Sequence, residues 1–197
     1  MTNKKLVYFV GIFAIFALIG GMALISSSNS TNTPITIKSS NLWDSNVLNA
    51  SYLAKGSDTI AMGKVKEVLP SKWNTPDGKR PIEIKNDIIY TDVIIEVEQY
   101  LKNPQASKDI TVRTLGGTVG IDSMVAEDEP KFEPNEKVIL FLTNEDTITG
   151  KIGEPHLKVQ GGMHGKFTIT ADQQAVRPDL PQEYKSMPLE ELLKKIQ

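Results

Sequence analysis

Cysteine is missing from all 197 residues. That lack excludes disulfides, thiolate metal sites and a lipid-modified N-terminal cysteine. Histidine is nearly missing too: His156 and His164 stand alone, eight positions apart, which is no metal-ligand spacing. No block of lysine or arginine stands out, so nucleic acid is not an expected partner. No serine sits in a GxSxG setting, and no pair of carboxylates lies in an apolar context that would raise a pKa. Catalysis is therefore without sequence support, and no cofactor and no metal are expected. The composition that remains, 40% hydrophobic and 23% charged, excludes disorder throughout. An exported domain of about 150 residues can bury roughly 68–70% of its unfolded surface, enough to fold without staples.

Charge is also missing, entirely, from residues 6–25 (LVYFVGIFAIFALIGGMALI). At 1.5 Å per residue a helix of this length covers about 30 Å, the thickness of a bilayer core. Lys4 and Lys5 precede the run and no lysine follows it closely, which places residues 1–5 inside and the rest outside. The run exceeds the apolar region of a signal peptide, and residues 22–25 (MALI) offer no small-x-small site. The expectation is an uncleaved signal anchor at the cell membrane, or a secreted protein if the segment is cleaved. Residues 26–41 are rich in Ser, Thr and Asn and read as a flexible linker. Asn29 and Asn49 head glycosylation triplets, which a chain so rich in Asn and Ser supplies by chance.

Residues 42–197 read as a β-domain organised around 88–115. Ile89, Thr91, Val93, Ile95, Val97, Gln99 and Leu101 fall on one face and Asp92, Glu96, Glu98 and Tyr100 on the other, the period of a half-buried strand. Asn103-Pro104 breaks the pattern, and Ile110, Val112 and Thr114 resume it, giving an antiparallel pair. Residues 42–55 suit a short helix capped by Asp44 or Ser45, with Val47, Leu48 and Tyr52 on its apolar side. Residues 59–69 form the first strand, with Gly63 where a bulge helps a barrel close. KVILFLT at 137–143 is apolar on both faces, as a core strand is. Shorter strands are expected at 121–126, 147–152, 157–160 and 167–170. After a linker with Pro178 and Pro181, Leu189, Leu192, Leu193 and Ile196 form the apolar stripe of a C-terminal amphipathic helix.

Residues 161–166 (GGMHGK) imitate a phosphate loop, but the glycines are four apart where the motif has five steps, and Phe167 replaces its Ser or Thr. A glycine-rich turn is the better account. Asp122, Glu127, Asp128 and Glu129 do not follow the alternating calcium-loop pattern, so 127–130 reads as a solvated acidic loop. Trp73, in the polar and turn-rich stretch 70–85, has two readings. It is a flap over the edge of the core, or a contact for a binding partner, since tryptophan is enriched among hot spots.

Residues 57–65 (SDTIAMGKV) resemble the first strand of netrin-like domains, the module shared with tissue inhibitors of metalloproteinases. Residues 95–102 (IEVEQYLK), 110–112 (ITV) and 136–142 (EKVILFL) are similar to its later strands. The resemblance covers roughly 57–150 and implies a five-stranded, OB-like closed barrel with flanking helices. Those animal modules carry cysteine bridges, and the inhibitors set an N-terminal cysteine on the protease metal. Without cysteine, protease inhibition does not carry over, and neither does any site residue. The sequence thus predicts a mainly β protein with three appendages: a short N-terminal helix, the C-terminal helix and one transmembrane helix. Its expected role is an extracytoplasmic binding or envelope-structural module. Its expected partners are the membrane, through 6–25, and an extracytoplasmic protein or envelope polymer. The alternative is an anchored or secreted hydrolase, which a pocket of convergent ionisable groups would favour; an exposed aromatic loop would favour the module.

Overall fold

The computed structural model describes residues 33–40, 43–84, 87–144, 148–150 and 152–197. The run at 6–25 and the triplet at Asn29 lie outside them. Among the described residues no helix is long and apolar enough to cross a membrane. The chain passes through β1 (Thr36–Ser39), a 3-10 turn at Ser45–Leu48, α1 (Ala50–Gly56), β2 (Thr59–Val68) and β3 (Lys72–Trp73). The long β4 (Ile89–Lys102) and β5 (Asp109–Leu115) follow, then the hairpin of β6 (Gly117–Val119) and β7 (Asp122–Ala126). Next come β8 (Lys137–Thr143), β9 (Leu157–Val159), a second 3-10 turn at Gly162–Gly165, β10 (Lys166–Ile169) and β11 (Gln174–Val176). The chain ends with α2 (Gln182–Lys185), β12 (Ser186–Pro188) and α3 (Leu189–Ile196).

Five of these strands close on themselves in the order β8-β2-β4-β5-β9, with β9 returning to β8. Every pairing in the ring is antiparallel except β5 with β9. Val65, Val93, Ile95, Val97, Val112 and Leu140 are among the side chains that fill the interior. Closure needs sharp bending, and β2 bends against β4 at three register shifts. Gly63 sits at one of them; a Cβ there would stand 2.4 Å from the Glu96 carbonyl oxygen, so only glycine fits. The same shifts break the alternation that the sequence suggests for β4. Past Val97 the faces exchange: Tyr100 packs against the barrel interior and Leu101 against the cluster outside it.

That second cluster covers the outside of β2, β8 and β10. Ile60, Ile139, Phe141 and Phe167 meet Val47, Leu53 and Ala54 from the N-terminal helical segment and Leu192 from α3. The helical segment is two pieces, because Asp44 caps the 3-10 turn and Asn49 ends it and caps α1. This turns Tyr52 outward, 45% exposed, rather than onto the apolar side expected for it. A third cluster joins Trp73, Ile89, Leu115 and Met124 at one end of the barrel.

Three stretches differ from expectation. Part of the stretch read as linker forms β1, which pairs in parallel with β7, so 36–39 belongs to a three-stranded sheet β1-β7-β6. The Pro-containing segment after 170 contains β11 and β12, which extend the sheet beyond β10. Residues 148–150 are a turn rather than a strand.

Candidate functional site

β8 gives one edge to β2 and divides the other. Its residues 138–140 pair with β10, and Leu142 and Thr143 pair with β9. The sheet therefore splits at Phe141: β9 turns back to close the barrel, and β10 and β11 splay away from it. On β10, Phe167 and Ile169 face the outer apolar cluster, which leaves Lys166 and Thr168 on the opposite face. The segment 127–136 crosses in front of that face, and between them lies a recess of about 350 Å³.

The polar floor of this recess is a three-residue network. The Lys166 ammonium is 2.6 Å from Glu136 Oε1, with side-chain exposures of 10% and 14%. Thr168 Oγ1 donates to the same Glu136 oxygen, and Lys166 Nζ also reaches Thr168 Oγ1 at 3.4 Å. Lys166 further sits over the Phe132 ring, 5.2 Å from its centroid. Pro130, Met163, Val176 and Leu180 supply apolar walls, and Lys131, Glu133 and Asp179 line the recess as well.

Arg177, also lining the recess, holds its back together. Its buried guanidinium donates to three backbone carbonyls: Tyr184 at 3.0 Å, Leu48 at 3.1 Å and His164 at 3.4 Å. Burial pushes its pKa down to about 10, so it keeps its charge at neutral pH. It also stacks 4.6 Å from the Phe167 ring centroid. One side chain thus bolts the N-terminal 3-10 turn, the Gly162–Gly165 turn and α2 to β11.

Residues 127–130 are not the solvated acidic loop read from sequence: only Glu127 is exposed. Asp128 and Glu129 are 6% and 8% exposed. Asp128 Oδ2 accepts from Trp43 Nε1 at 2.8 Å, and the Asp128 carbonyl accepts from the Met163 N–H at 2.8 Å. The glycine-rich turn serves this contact. Gly162, at φ 58°, leaves the space where a Cβ would lie 2.4 Å from the Asp128 carbonyl oxygen. An acidic tetrapeptide reads as solvated because its partners, Trp43 and Gly162, are remote in sequence.

Glu129 faces the other way, into a second recess of about 310 Å³ at the barrel mouth, between the ends of β4 and β5 and the β6–β7 hairpin. Its Oε2 accepts from Thr114 Oγ1 at 2.9 Å and from the Leu115 N–H at 3.3 Å. Burial holds its carboxyl above the usual carboxylate range, against the opposing pull of Lys158 and these two donors. The folded state therefore binds its proton more tightly than the unfolded chain does. Stability from this group falls as pH rises from the unfolded glutamate pKa to the raised folded value. Glu129→Gln removes that loss, so its melting temperature should gain on the wild type between pH 4 and neutrality. A wild type that gains on the variant over that range would mean Lys158 dominates the site.

Trp73, read from sequence as a flap over the edge of the core or a partner contact, is fully buried. β3 pairs with β4 and lays the indole inward against Ile89, Leu115 and Met124, and among the described residues its Nε1–H meets no acceptor. Its surface is not open to a partner. Trp43 is the tryptophan near the recess, 39% exposed, edge-on to His164. Neither histidine lines the recess: His164 Nδ1 lies 2.8 Å from the Gly161 carbonyl oxygen, and His156 contacts Thr149 and the Glu154 carbonyl. Among the described residues no three His, Asp or Glu side chains gather as a metal site. Compared with known proteins, the sequence matches no family model and no curated protein.

Proposed function

We propose that this protein is a membrane-tethered extracytoplasmic binding domain that takes its ligand in the recess between β10–β11 and the segment 127–136. The observation that carries this reading is the recess itself. Its volume lies in the usual range for ligand sites, about 300–1,000 Å³, and it combines apolar walls with a few convergent polar groups. The ammonium and carboxylate on its floor satisfy one another, so the empty recess is stable, and together they offer a ligand both donors and acceptors. An envelope polymer or an extracytoplasmic protein segment fits such a surface. We read the barrel as OB-type, on the order of its strands, and the netrin-like resemblance agrees with that order. The tether is residues 6–25, on the strength of their hydropathy and flanking lysines.

A second reading has one specific observation in its favour. The Thr168 hydroxyl donates to Glu136 with Lys166 beside it, and ionisable groups converge here as an anchored hydrolase would need. The Lys166–Glu136 pair is closed on itself, and among the described residues no histidine lines the recess, so binding is the better account.

The test uses the full-length chain in detergent, immobilised and exposed to a cell-envelope fraction of the source organism. Val176→Trp fills the recess from the half-buried edge of β11. Loss of capture with an unchanged melting temperature is the expected result. Equal capture by both proteins would sink the assignment. Captured ligand that the wild type releases chemically unchanged, as a Thr168→Val variant does, would set the hydrolase reading aside.

A further inference from the structure

Two isoleucines stand where a folded chain has no use for them. Ile82 is fully exposed, and Ile121 is 52% exposed. Ile121 occupies the second position of the two-residue turn between β6 and β7, after Gly120 at φ 61°. A Gly-X hairpin turn asks for glycine at its first position and asks nothing apolar of its second. Its side chain contributes little to the core there. Ile82 lies on the loop that follows β3, whose course is set by its own hydrogen bonds: Gly78 N–H to the Thr75 carbonyl, and Thr75 Oγ1 to the Lys79 carbonyl at 2.8 Å.

Arg80 brings the two loops to one place. Its Nη1 is 3.4 Å from Asp122 Oδ1, next to Ile121, and its Nη2 donates at 3.2 Å to the carbonyl of Thr33. The Ile35 N–H donates to the same Asp122 carboxylate at 3.1 Å. Thr33 is the first described residue, so both isoleucine-bearing loops gather where the chain enters the domain. Only residues 26–32 separate this point from the charge-free run that ends at residue 25. Seven extended residues span at most about 25 Å.

We infer that this corner of the domain is a lipid-docking surface, with Ile82 and Ile121 entering the interface of the bilayer that residues 6–25 cross. This rests on the tether proposed above. A short tether holds the corner at the membrane, and there two exposed isoleucines lose their contact with water.

The absence of cysteine makes the test direct. Ile82→Cys, Ile121→Cys and, as a control on α3, Lys194→Cys each carry one environment-sensitive fluorophore in the full-length chain. Each is reconstituted into phosphatidylethanolamine–phosphatidylglycerol vesicles with a lipid-borne nitroxide quencher. The expected result is quenching at 82 and 121 at least threefold stronger than at 194. Protein that floats with the vesicles but is quenched equally at all three positions overturns the docking surface and leaves the tether standing. Protein that fails to float overturns the tether, and the docking surface with it. Excimer formation between pyrene labels at 82 without lipid quenching would assign the corner to a second copy of the chain, and also overturns it.

Discussion

Replacing Arg113 by Met should lower the domain's stability by about 3–5 kcal/mol, the range for breaking a buried ion pair from one side. Arg113 is fully buried on the outer face of β5 and grips Asp92 of β4 with two hydrogen bonds, Nε to Oδ1 at 2.7 Å and Nη2 to Oδ2 at 2.9 Å. Its Nη1 donates to the Ile152 carbonyl at 2.6 Å, and the guanidinium lies 3.7 Å from the centroid of the Tyr90 ring. The substitution leaves the buried Asp92 carboxylate unpaired and takes a donor from the Ile152 carbonyl, which is why its cost exceeds the worth of the pair. For a domain of this size each kcal/mol moves the melting point by about 2–4 °C, so a fall of about 6–20 °C is expected. Combining it with Asp92→Leu should recover much of the loss, because an apolar pair leaves no buried charge. A double variant no more stable than Arg113→Met would show that the backbone bond to Ile152, rather than the pair, carries the effect.

Leu192→Ala should cost about 2–5 kcal/mol. Leu192 is the one fully buried residue of α3, and it enters the outer cluster beside Leu53 and Phe167, with Leu189, Leu193 and Ile196 only partly covered around it. At eight residues α3 is too short to persist as an isolated helix and depends on this docking. The contact to α1, where Ser51 Oγ donates to the Lys195 carbonyl, should weaken with it. The measurement is thermal unfolding together with the rate at which carboxypeptidase trims the chain end. An unchanged melting temperature would show that α3 contributes nothing to the outer cluster.

Local pattern made the barrel legible. β2, β4, β5 and β8 announce themselves by alternation or by continuous apolar runs, and Gly63 by its isolation inside a strand. The C-terminal helix was equally plain, since its stripe needs no partner to be seen. What stayed hidden depends on contacts remote in sequence. Asp92 reads as solvent-facing until Arg113 pairs with it, itself held by Thr149 and the Ile152 carbonyl. β1 carries no apolar run; it is a strand because β7 accepts it in parallel. Glu136, Lys166 and Thr168 are three ordinary residues of β-rich sequence, and only the splitting of the sheet at Phe141 brings them to one recess. Trp73 was open between two readings for a like reason. A tryptophan among turn residues suits a flap over the core or a surface contact, and two ladder pairings with β4 turn it inward.

The role proposed for the domain depends on its lying outside the membrane, and a single labelling experiment measures that. The full-length Lys194→Cys chain, expressed in intact cells, is exposed to a membrane-impermeant maleimide, with Lys194 well exposed on α3. Full labelling before the membrane is breached, with the protein remaining in the membrane fraction, is the expected result. Labelling only after permeabilisation would place the domain inside and contradict it.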